Sequence, residues 1–594
     1  MMRPQRPQGR GRGQAVEKPQ NARTVLQRLR KYLYFYKKRF FVAVFLTIVA
    51  NVFSLIGPFL TGKAIAAMEG TVDFEKVFLF TGLMVVFYIL SSVLNYILSR
   101  SMIRIAQSVV FKLRQDVFNK LNNIDISYFD RTQTGDILSR MTYDIDTLGT
   151  SLASDVIGIF TSVITVAISL VMMIIMSPIL VAIFLVTLPI SVILTRKLSR
   201  KVKGKYRIRN ADLGNMNGYV EEMITGQKTI QAYTQEQYVY EQFKKHNKTA
   251  ADSTYNAGYV GSTVGPTVNF MSNLSVALVG VFGAILYFLG SIPFSTYTSF
   301  TLYSRRFSGP INQISNIIAD IQSALAASER IFRLIDYPNE KEDAADAKAL
   351  DEVSGNITLN DVTFGYVKDQ MVLKNVSLNV KQGDVVAIVG PTGSGKTTLV
   401  NLLMRFYDIN TGTLSLDNDS VTNIRRDDLR RAFTMVLQDT WIFYGTIYEN
   451  ITYGHENVSM EKVIEAAKKA HIHQFIESLP DGYNTKMTDD GLNISKGQRQ
   501  LLVIARAMLS DAKILILDEA TSNVDTYTEI KIQEAMKQLM KGKTTFVIAH
   551  RLSTIKEADQ IIVLKEGQII EIGTHESLLS QDTFYAKLFN SQFN

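Results

Sequence analysis

Long uncharged stretches dominate the first half of the chain. Four of them contain no Asp, Glu, Lys or Arg: residues 40–60, 77–99, 156–195 and 253–304. The Ser177-Pro178 step would divide the third stretch into two helices, and a Gly-Ser-Ile-Pro turn at 290–293 would divide the fourth. A helix the length of residues 40–60 covers about 31 Å, which is enough to cross the hydrocarbon core of a bilayer. The pattern therefore predicts an α-helical polytopic membrane domain with six transmembrane helices.

Lys and Arg are concentrated in the segments on one side of this predicted domain. Residues 1–39, 100–155 and 196–252 are rich in both, whereas the basic residues of 61–76 are Lys63 and Lys76 alone. Basic loops are retained in the cytoplasm, so the distribution places both termini and the two long loops there. We therefore expect a multi-pass protein of the cell (cytoplasmic) membrane.

The two basic loops are too long to be plain connections. Apolar residues recur with helical spacing in 109–121 and 219–243, which predicts long cytoplasmic extensions of the membrane helices. Gly135-Asp136 and Gly226-Gln227 would be the turns at the far ends of these extensions. We expect both tips to dock on a cytoplasmic domain.

An arginine pair, Arg305-Arg306, follows the last uncharged stretch, where the chain should still lie in the membrane or at its inner edge. A charge that faces lipid is costly, so the pair needs an explanation. Two interpretations remain open. The side chains snorkel to the inner boundary, or they line a transport pathway.

Composition narrows the possible chemistry and the domain plan. The chain has 594 residues, a net charge of +9, 46% hydrophobic residues and no cysteine, and its mean hydropathy is +0.07. The lack of cysteine excludes disulfides, cysteine-ligated zinc, iron–sulfur clusters and thiol nucleophiles. We predict a basic, flexible N-terminal tail and the start of an elbow region (1–30), a transmembrane domain (31–330), a linker (331–353) and an α/β domain (354–594).

A phosphate-binding loop is predicted near the start of the α/β domain. An apolar strand at 385–389 is followed by Gly390, Pro391, Thr392, Gly393, Ser394, Gly395, Lys396, Thr397 and Thr398, and then by a helical segment. This is GxxxxGK[ST] between a strand and a helix, where backbone N–H groups and the helix N-terminus surround phosphate oxygens. Lys396 would contact the β- and γ-phosphates of ATP, and Thr397 would ligate Mg²⁺. Thr398 stands where a dinucleotide-binding GxGxxG would need its third glycine.

Two further apolar strands end in candidate catalytic residues. The first ends in Asp518-Glu519, whose side chains should point in opposite directions. Asp518 suits the Mg²⁺ shell, and Glu519 suits a general base that polarises the attacking water. The second strand, at 544–549, is followed by His550, which could reach a γ-phosphate.

These motifs together resemble the ATP-binding-cassette (ABC) family. The same set includes Gln438, the run Ser495-Lys496-Gly497-Gln498 and Asp525. With six predicted spans ahead of one cassette, the chain resembles a half-transporter of the bacterial multidrug exporter type. The resemblance implies that Tyr366 stacks on adenine, that Gln438 links Mg²⁺ and water to the membrane domain, and that Asp525 communicates across a cassette dimer.

The resemblance also implies that two cassettes face each other, with each ATP held between the phosphate loop of one and the signature motif of the other. The usual signature, Leu-Ser-Gly-Gly-Gln, has small residues where a helix N-terminus approaches the γ-phosphate. This chain instead has Ile494-Ser495-Lys496-Gly497-Gln498. Ser495, Gly497 and Gln498 would still contact nucleotide, but the bulky cation of Lys496 would alter the site made with the partner's ATP.

Lys396, Asp518, Glu519 and His550 keep the family pattern. We therefore expect an asymmetric heterodimer, with one competent and one degenerate ATP site, that exports hydrophobic or amphipathic compounds. The expected cofactors are ATP and Mg²⁺, and the expected partners are a second ABC half-transporter subunit, the lipid bilayer and a small-molecule cargo, without nucleic acid. A homodimeric exporter of lipid or peptide and an ATP-gated channel or sensor remain as alternatives.

Overall fold

The structure, a computed structural model, describes residues 21–350, 352–367, 369–437, 440–487, 494–518, 524–548, 552–581 and 583–593. Their contacts divide the chain into two compact units. The helical unit contains the described residues up to Ile124 and Thr132–Tyr337. The α/β unit contains Asp125–Arg131 and the described residues from Pro338 onwards.

Twelve helices form the described part of the chain before the α/β region. They are α1 (Ala22–Tyr34), α2 (Lys37–Ala66), α3 (Phe74–Asn123), α4 (Ile126–Arg131), α5 (Thr134–Ser139), α6 (Ile145–Thr150), α7 (Val156–Met176), α8 (Pro178–Thr225), α9 (Gln227–Ala232), α10 (Glu236–Ser262), α11 (Val264–Phe288) and α12 (Phe294–Ile335). Two π-helical turns, Arg140–Asp144 and Ser151–Asp155, join α5, α6 and α7.

The predicted spans lie in long helices. Four continuous stretches of the described chain are long and apolar enough to cross a membrane: Lys37–Ala66, Phe74–Asn123, Thr134–Met176 and Glu236–Phe288. The predicted division at Ser177-Pro178 is confirmed, because Ser177 is the N-cap of α8 and Pro178 is its first residue. The fourth and sixth predicted spans begin α8 and α12, and their crossing of the membrane stays a prediction.

The predicted cytoplasmic extensions are helical, but the first tip was misplaced. Helix α3 runs without a break through Asn123, and the short helix α4 belongs to the α/β unit. Gly135 and Asp136 instead lie inside α5, in the helical unit. Asp136 is in the first turn of α5, where a carboxylate is favoured by the helix dipole, so Gly-Asp marks a helix start here and not a turn. Gly226 does end α8, as predicted.

A buried ion pair joins the π-helical region to α12. Arg330 donates to both oxygens of the Asp144 carboxylate, at 2.9 and 2.6 Å. The Asp144 side chain is 4% exposed, whereas that of Arg330 is 29% exposed. A buried carboxylate that lost this partner would keep the cost of its own desolvation.

Helix α1 overlaps the end of the predicted flexible tail (1–30) and packs on the end of α12. Tyr32 donates to Asp116 on α3 at 2.9 Å, and its ring stacks on Phe332 at 6.1 Å. Arg28 pairs with Asp336 and also lies over Phe332, 4.4 Å from the ring centroid. Burial, followed by the bond to Asp116, raises the pKa of Tyr32. Helix α1 is thus tied to the end of α12.

The α/β unit contains twelve strands in its described part. They are β1 (Ile357–Phe364), β2 (Leu373–Val380), β3 (Val385–Val389), β4 (Thr411–Leu416), β5 (Asp419–Ser420), β6 (Phe433–Val436), β7 (Gly445–Thr446), β8 (Lys486–Met487), β9 (Ile514–Asp518), β10 (Thr544–Ile548), β11 (Gln560–Lys565) and β12 (Gln568–Gly573). They form sheets with the orders β2-β1-β4-β5, β12-β11-β3-β10-β9-β6 and β7-β8.

Helices cover these sheets. In the described chain they are α13 (Lys396–Leu403), α14 (Arg426–Arg431), α15 (Ile447–Ile451), α16 (Met460–Lys469), α17 (His473–Glu477), α18 (Lys496–Met508), α19 (Thr526–Met540), α20 (Leu552–Lys556), α21 (His575–Ser580) and α22 (Phe584–Phe593). Successive residues of β9 belong to opposite apolar clusters: Leu515 and Leu517 to one, Ile514 and Ile516 to the other. Burial on both faces explains why the central parallel strands are continuous apolar runs.

The chain after Tyr337 is fixed to the α/β unit by charges. Helix α12 continues to Ile335, beyond the predicted linker start at 331. The Asp343 carboxylate accepts from the Arg426 backbone N–H at 2.9 Å, and Arg430 binds Glu340. Burial raises the pKa of Asp408, but Arg426 and its other cationic neighbours outweigh this and hold that pKa below its usual value. The predicted linker is therefore anchored over residues 340–343.

Candidate nucleotide-binding site

The predicted phosphate loop connects β3 to α13, at the carboxyl edge of the six-stranded sheet. Two of its glycines are required by the backbone and its surroundings. Gly390 has φ +155°, and a Cβ there would lie 2.2 Å from the Leu564 carbonyl oxygen. Gly395 has φ +107°, and a Cβ there would lie 2.7 Å from the Leu373 side chain. The loop backbone can thus lie close to its neighbours because glycine has no side chain at these two positions.

Lys396 folds back over this loop. Its Nζ donates to the carbonyl oxygens of Gly390 at 2.7 Å and of Pro391 at 3.0 Å. Burial lowers the pKa of Lys396, and the carboxylate of Asp518 opposes that shift. The ammonium group is therefore placed among oxygen acceptors and close enough to Asp518 to feel its charge. Phosphate oxygens could replace the two carbonyl groups as its acceptors.

The remaining loop residues differ in exposure. Pro391, Thr392, Gly393 and Thr397 are exposed, whereas Ser394 and Thr398 are buried. Ser394 is 2% exposed. Its hydroxyl group has no hydrogen-bond partner among the described atoms. Thr397 lies in the first turn of α13, where its hydroxyl is open to a ligand and backbone N–H groups favour anions.

Asp518 reaches the same edge of the sheet from β9. Strand β10 separates β9 from β3, and Ile548 pairs with both Asp518 and Ile388. The carboxyl ends of these parallel strands therefore lie side by side, which brings Asp518 towards the phosphate loop. A threonine hydroxyl and a carboxylate are hard oxygen donors of the kind that Mg²⁺ prefers, so Thr397 and Asp518 fit this ion.

Tyr366 lies beside α13. Its hydroxyl donates to Thr398 Oγ1 at 3.2 Å and accepts from Asn401 Nδ2 at 3.2 Å. Its ring meets those of Phe364 and Tyr407 edge to face, with centroids 5.0 and 4.9 Å away. The sequence did not indicate these hydroxyl bonds to the helix that follows the phosphate loop. Stacking of Tyr366 on adenine stays a prediction.

Three predicted catalytic residues, Gln438, Glu519 and His550, lie outside the described residues. Strand β6 ends at Val436, β9 at Asp518 and β10 at Ile548. These are neighbouring strands of one sheet with the same direction. These three strands thus end at the edge of the sheet where Lys396 and Asp518 lie.

The altered signature motif begins α18. Ser495 is the N-cap of this helix, and it forms a capping box with Gln498: the Gln498 N–H donates to Ser495 Oγ at 3.2 Å, and the Ser495 N–H donates to Gln498 Oε1 at 2.9 Å. A Cβ on Gly497 would lie 2.4 Å from the Thr528 methyl group of α19. The motif residues thus position the first turn of α18, with Lys496 as its first residue.

Asp525 has a local structural task. It is the N-cap of α19, and its carboxylate accepts from the Thr528 N–H at 2.9 Å. This bond is the main reason why the pKa of Asp525 is lowered. The predicted role of Asp525 across a dimer stays a prediction.

Helix α4 contacts the aromatic residues beside the phosphate loop. Arg131 Nη2 donates to the Tyr366 carbonyl oxygen at 2.9 Å, and the Tyr407 hydroxyl binds the Asp130 carboxylate. Burial, followed by the bond to Asp130, raises the pKa of Tyr407. A cavity of about 220 Å³ adjoins these contacts. Sequence analysis missed α4; the run Asp125–Arg131, with acidic and basic ends around aromatic residues, was the available indication.

Replacing Tyr407 with phenylalanine should loosen α4 without removing the ring contacts. A hydrogen bond to a charged group contributes about 1.5–3 kcal/mol, so amide hydrogen exchange of residues 126–131 should accelerate at least about tenfold where local opening limits exchange. Mass-spectrometric hydrogen exchange on the full chain measures this. Tyr448→Phe, which loses a 2.7 Å bond to the Val458 carbonyl, is the control. Unchanged exchange in Tyr407→Phe would contradict a role for the Asp130 bond.

Comparisons with known proteins identify the family. The ABC transporter transmembrane region matches residues 40–311, and the ABC transporter family matches residues 373–522. The uncharacterized ABC transporter ATP-binding protein YfiC of Bacillus subtilis (strain 168) is 38% identical over 97% of this chain and 95% of its own length. The chain therefore belongs to the ABC transporter family.

Further relatives place it among exporters. The fatty acid ABC transporter ATP-binding/permease protein of Mycobacterium tuberculosis (strain CDC 1551 / Oshkosh) is 37% identical over 89% of this chain and 83% of its own. The ATP-dependent lipid A-core flippase of Syntrophus aciditrophicus (strain SB) is 32% identical over 96% and 94%. The structure of a bacterial Atm1-family ABC exporter with ATP bound has a TM-score of 0.76 and 28% identity, and the match covers 94% of this chain and 98% of that one.

The chain is thus an ABC exporter, with a helical membrane domain followed by an ABC ATPase domain. The predicted fold class is confirmed, and so is the prediction of an ATPase coupled to transport. ATP binding follows from the ATPase domain.

Proposed function

We propose that this chain is one half of a heterodimeric exporter of the multidrug type. The exporter would move hydrophobic or amphipathic compounds outward across the cytoplasmic membrane. The observation that carries the proposal is Lys496, the first residue of α18. A cation at a helix N-terminus opposes the helix dipole and costs about 0.3–1 kcal/mol at an exposed site. Lys496 also occupies the position at which a regular signature motif places a small residue next to ATP.

The phosphate loop is the part of the site that we propose to be competent. Its Lys396 has two exchangeable oxygen acceptors and Asp518 nearby. Thr397, Asp518 and Gln438 would hold Mg²⁺, which neutralises charge on the phosphates when bound. Glu519 would orient and deprotonate the attacking water, and His550 would contact the γ-phosphate. A regular signature motif on a different subunit would complete this site, while Lys496 would face the partner's ATP.

Helix α4 would connect this chemistry to transport. It continues the chain of α3, a 50-residue helix that includes the second predicted span. Its Asp130 and Arg131 bind residues around Tyr366, so a change at the nucleotide site would move α4. The proposed cycle is alternating access, in which ATP-driven closure of two cassettes turns the membrane domain from inward-facing to outward-facing and hydrolysis resets it.

A homodimeric lipid exporter is the second candidate. Two of the similar proteins are named for fatty acids and for lipid A, and both match most of this chain. In that case both signature motifs would carry Lys496, and both sites would have to tolerate it.

The deciding measurement is ATP hydrolysis by the purified chain in lipid nanodiscs, alone and with the product of whichever transporter gene adjoins its own. The heterodimer predicts little activity alone, restored activity in the pair, and at least about a 100-fold loss with Glu519→Gln. Strong activity of the chain alone, abolished by Glu519→Gln, would establish the homodimer instead.

The role of Lys496 is tested in the same active complex. Lys496→Gly should increase turnover at the weaker site, while Lys462→Gly on the exposed face of α16 should not. Nucleotide occupancy and turnover that stay the same at both sites in Lys496→Gly would refute the asymmetry.

A further inference from the structure

Helices α2 and α12 pack side by side over several turns. Near their outer ends, the Ser295 N–H donates to Glu69 Oε1 at 3.1 Å. Further along, Ser299 Oγ donates to the Pro58 carbonyl at 2.9 Å. One turn later, the Tyr303 hydroxyl donates to the Leu55 carbonyl at 2.6 Å. The next contact in this series is a hydrogen bond from Arg306 Nη1 to Ser54 Oγ at 2.8 Å.

This series gives the depth of Arg306. Ser54 lies within the uncharged stretch 40–60 of α2, a helix that is long and apolar enough to span a membrane. At the 1.5 Å rise per residue, Ser54 is about 21 Å from the inner end of that stretch and about 9 Å from its outer end. The Arg306 guanidinium therefore lies beside the interior of the stretch that would cross the hydrocarbon region, which favours the second of the two interpretations left open by the sequence.

The guanidinium at this depth has a neutral partner. The four uncharged stretches contain no carboxylate, and in the described part of the chain neither Arg305 nor Arg306 forms an ion pair. Arg305 is exposed, and Arg306 is half-buried. A guanidinium has five N–H donors, and the serine hydroxyl takes one of them. Among the described residues, these two positive charges thus have no anion that compensates them.

The surroundings of Ser54 are polar as well. One turn towards the inner end of α2, the Asn51 amide oxygen accepts from Thr165 Oγ1 of α7 at 3.2 Å. Asn51 is 8% exposed and Thr165 is half-buried, so Asn51 lies between helices and does not face lipid. Polar groups from α2, α7 and α12 therefore occur at one depth.

We propose that Arg306, with Arg305, binds the anionic headgroup of an amphiphilic cargo, a carboxylate or a phosphate, whose hydrocarbon chain lies among the apolar residues of the membrane domain. The inference rests on the proposed export of amphipathic compounds and makes the cargo class specific. Carboxylates and phosphates accept two parallel hydrogen bonds from a guanidinium, and the attraction strengthens in a medium of low dielectric constant.

The competing explanation is snorkelling to the interface. A snorkelling arginine extends its charge towards headgroups and water. Arg306 instead holds a bond to Ser54, in the interior of the adjacent span. An intramembrane charge held in place without a counter-ion is costly, and an anionic ligand removes that cost.

Four probes with one hydrocarbon chain test the headgroup: oleate, oleyl phosphate, oleyl alcohol and oleylamine. The transporter, in whichever assembly hydrolyses ATP, is placed in phosphatidylcholine nanodiscs, and its ATP hydrolysis is measured against probe concentration. Oleate, oleyl phosphate or both should stimulate hydrolysis, and the one that acts distinguishes a carboxylate from a phosphate cargo. Oleyl alcohol and oleylamine should need at least tenfold higher concentrations. Equal stimulation by oleyl alcohol, or no response to either anion, would overturn the proposal.

Substitutions locate the site. Arg306→Gln should raise the half-maximal concentration of the active anion at least tenfold, and Arg306→Lys, which keeps a charge, should raise it less. Arg333→Gln, an exposed arginine further along α12, is the matched control and should leave it unchanged. An unchanged response in Arg306→Gln would overturn the assignment. If that variant does not assemble, the response of Arg305→Gln and the wild-type probe series test the assignment instead. Absence of any Glu519-dependent hydrolysis would instead refute the proposed function, in which Glu519 serves the competent ATP site.

Discussion

Replacing Lys396 with alanine is expected to lower ATP hydrolysis by about 100-fold or more, because it removes a preorganised charge from the place where negative charge develops on the phosphates. In the structure the lysine ammonium is already held over the loop by Gly390 and Pro391. The measurement is the hydrolysis rate of the active complex at saturating Mg²⁺ and ATP, together with nucleotide binding.

An exposed lysine provides the control for this substitution. Lys381 lies before β3 and is exposed, so Lys381→Ala should leave hydrolysis within a factor of two. A Lys396→Ala protein that is folded, as judged by an unchanged thermal transition, and still hydrolyses ATP at near the normal rate would remove Lys396 from the proposed site.

Replacing Arg330 with methionine is expected to have the largest effect on stability. Breaking a buried ion pair on one side costs about 3–5 kcal/mol, because the other charge remains buried without its partner. Asp144 is that other charge, with a side chain 4% exposed. The thermal transition of the helical unit should fall by several degrees, measured in nanodiscs on the full chain.

A neighbouring ion pair offers a matched control. Arg114 binds Asp146 at 2.7 Å, but both side chains are largely exposed, at 46% and 63%. Exposed pairs contribute about 0–1 kcal/mol, so Arg114→Met should lower the transition far less. The double variant Asp144→Leu/Arg330→Met should recover most of the loss. Equal effects of Arg330→Met and Arg114→Met would show that burial of Asp144 carries no special cost.

Local patterns in the sequence predicted the elements that depend on local chemistry. The apolar strands β3 and β9 and the glycine loop between β3 and α13 were found from short runs of residues, because burial on both faces and close backbone approach leave characteristic residue types. The division at Ser177-Pro178 was predicted for a similar reason, since proline acts on its own segment.

Contacts between distant segments could not be predicted in this way. The Asp144–Arg330 pair joins residues separated by 186 positions, and the Tyr407–Asp130 bond joins residues separated by 277. Neither residue pair has a local pattern that indicates its partner. The first tip was misplaced because Gly135-Asp136 suits both a turn and the first turn of a helix, and the structure has the helix. The roles of Gln438, Glu519 and His550 stay predictions from motif and strand position.

The depth inferred for Arg306 should also make the exporter sensitive to voltage. Its charge lies inside the span of α2, and moving one elementary charge across the whole membrane potential changes the free energy by about 2.3 kcal/mol per 100 mV. When the membrane domain turns from inward-facing to outward-facing, the fraction of the membrane potential that acts on Arg306 changes. In a cell whose interior is negative, an anion carried outward moves down the electrical gradient. The resting potential would then favour export, adding to the work done by ATP.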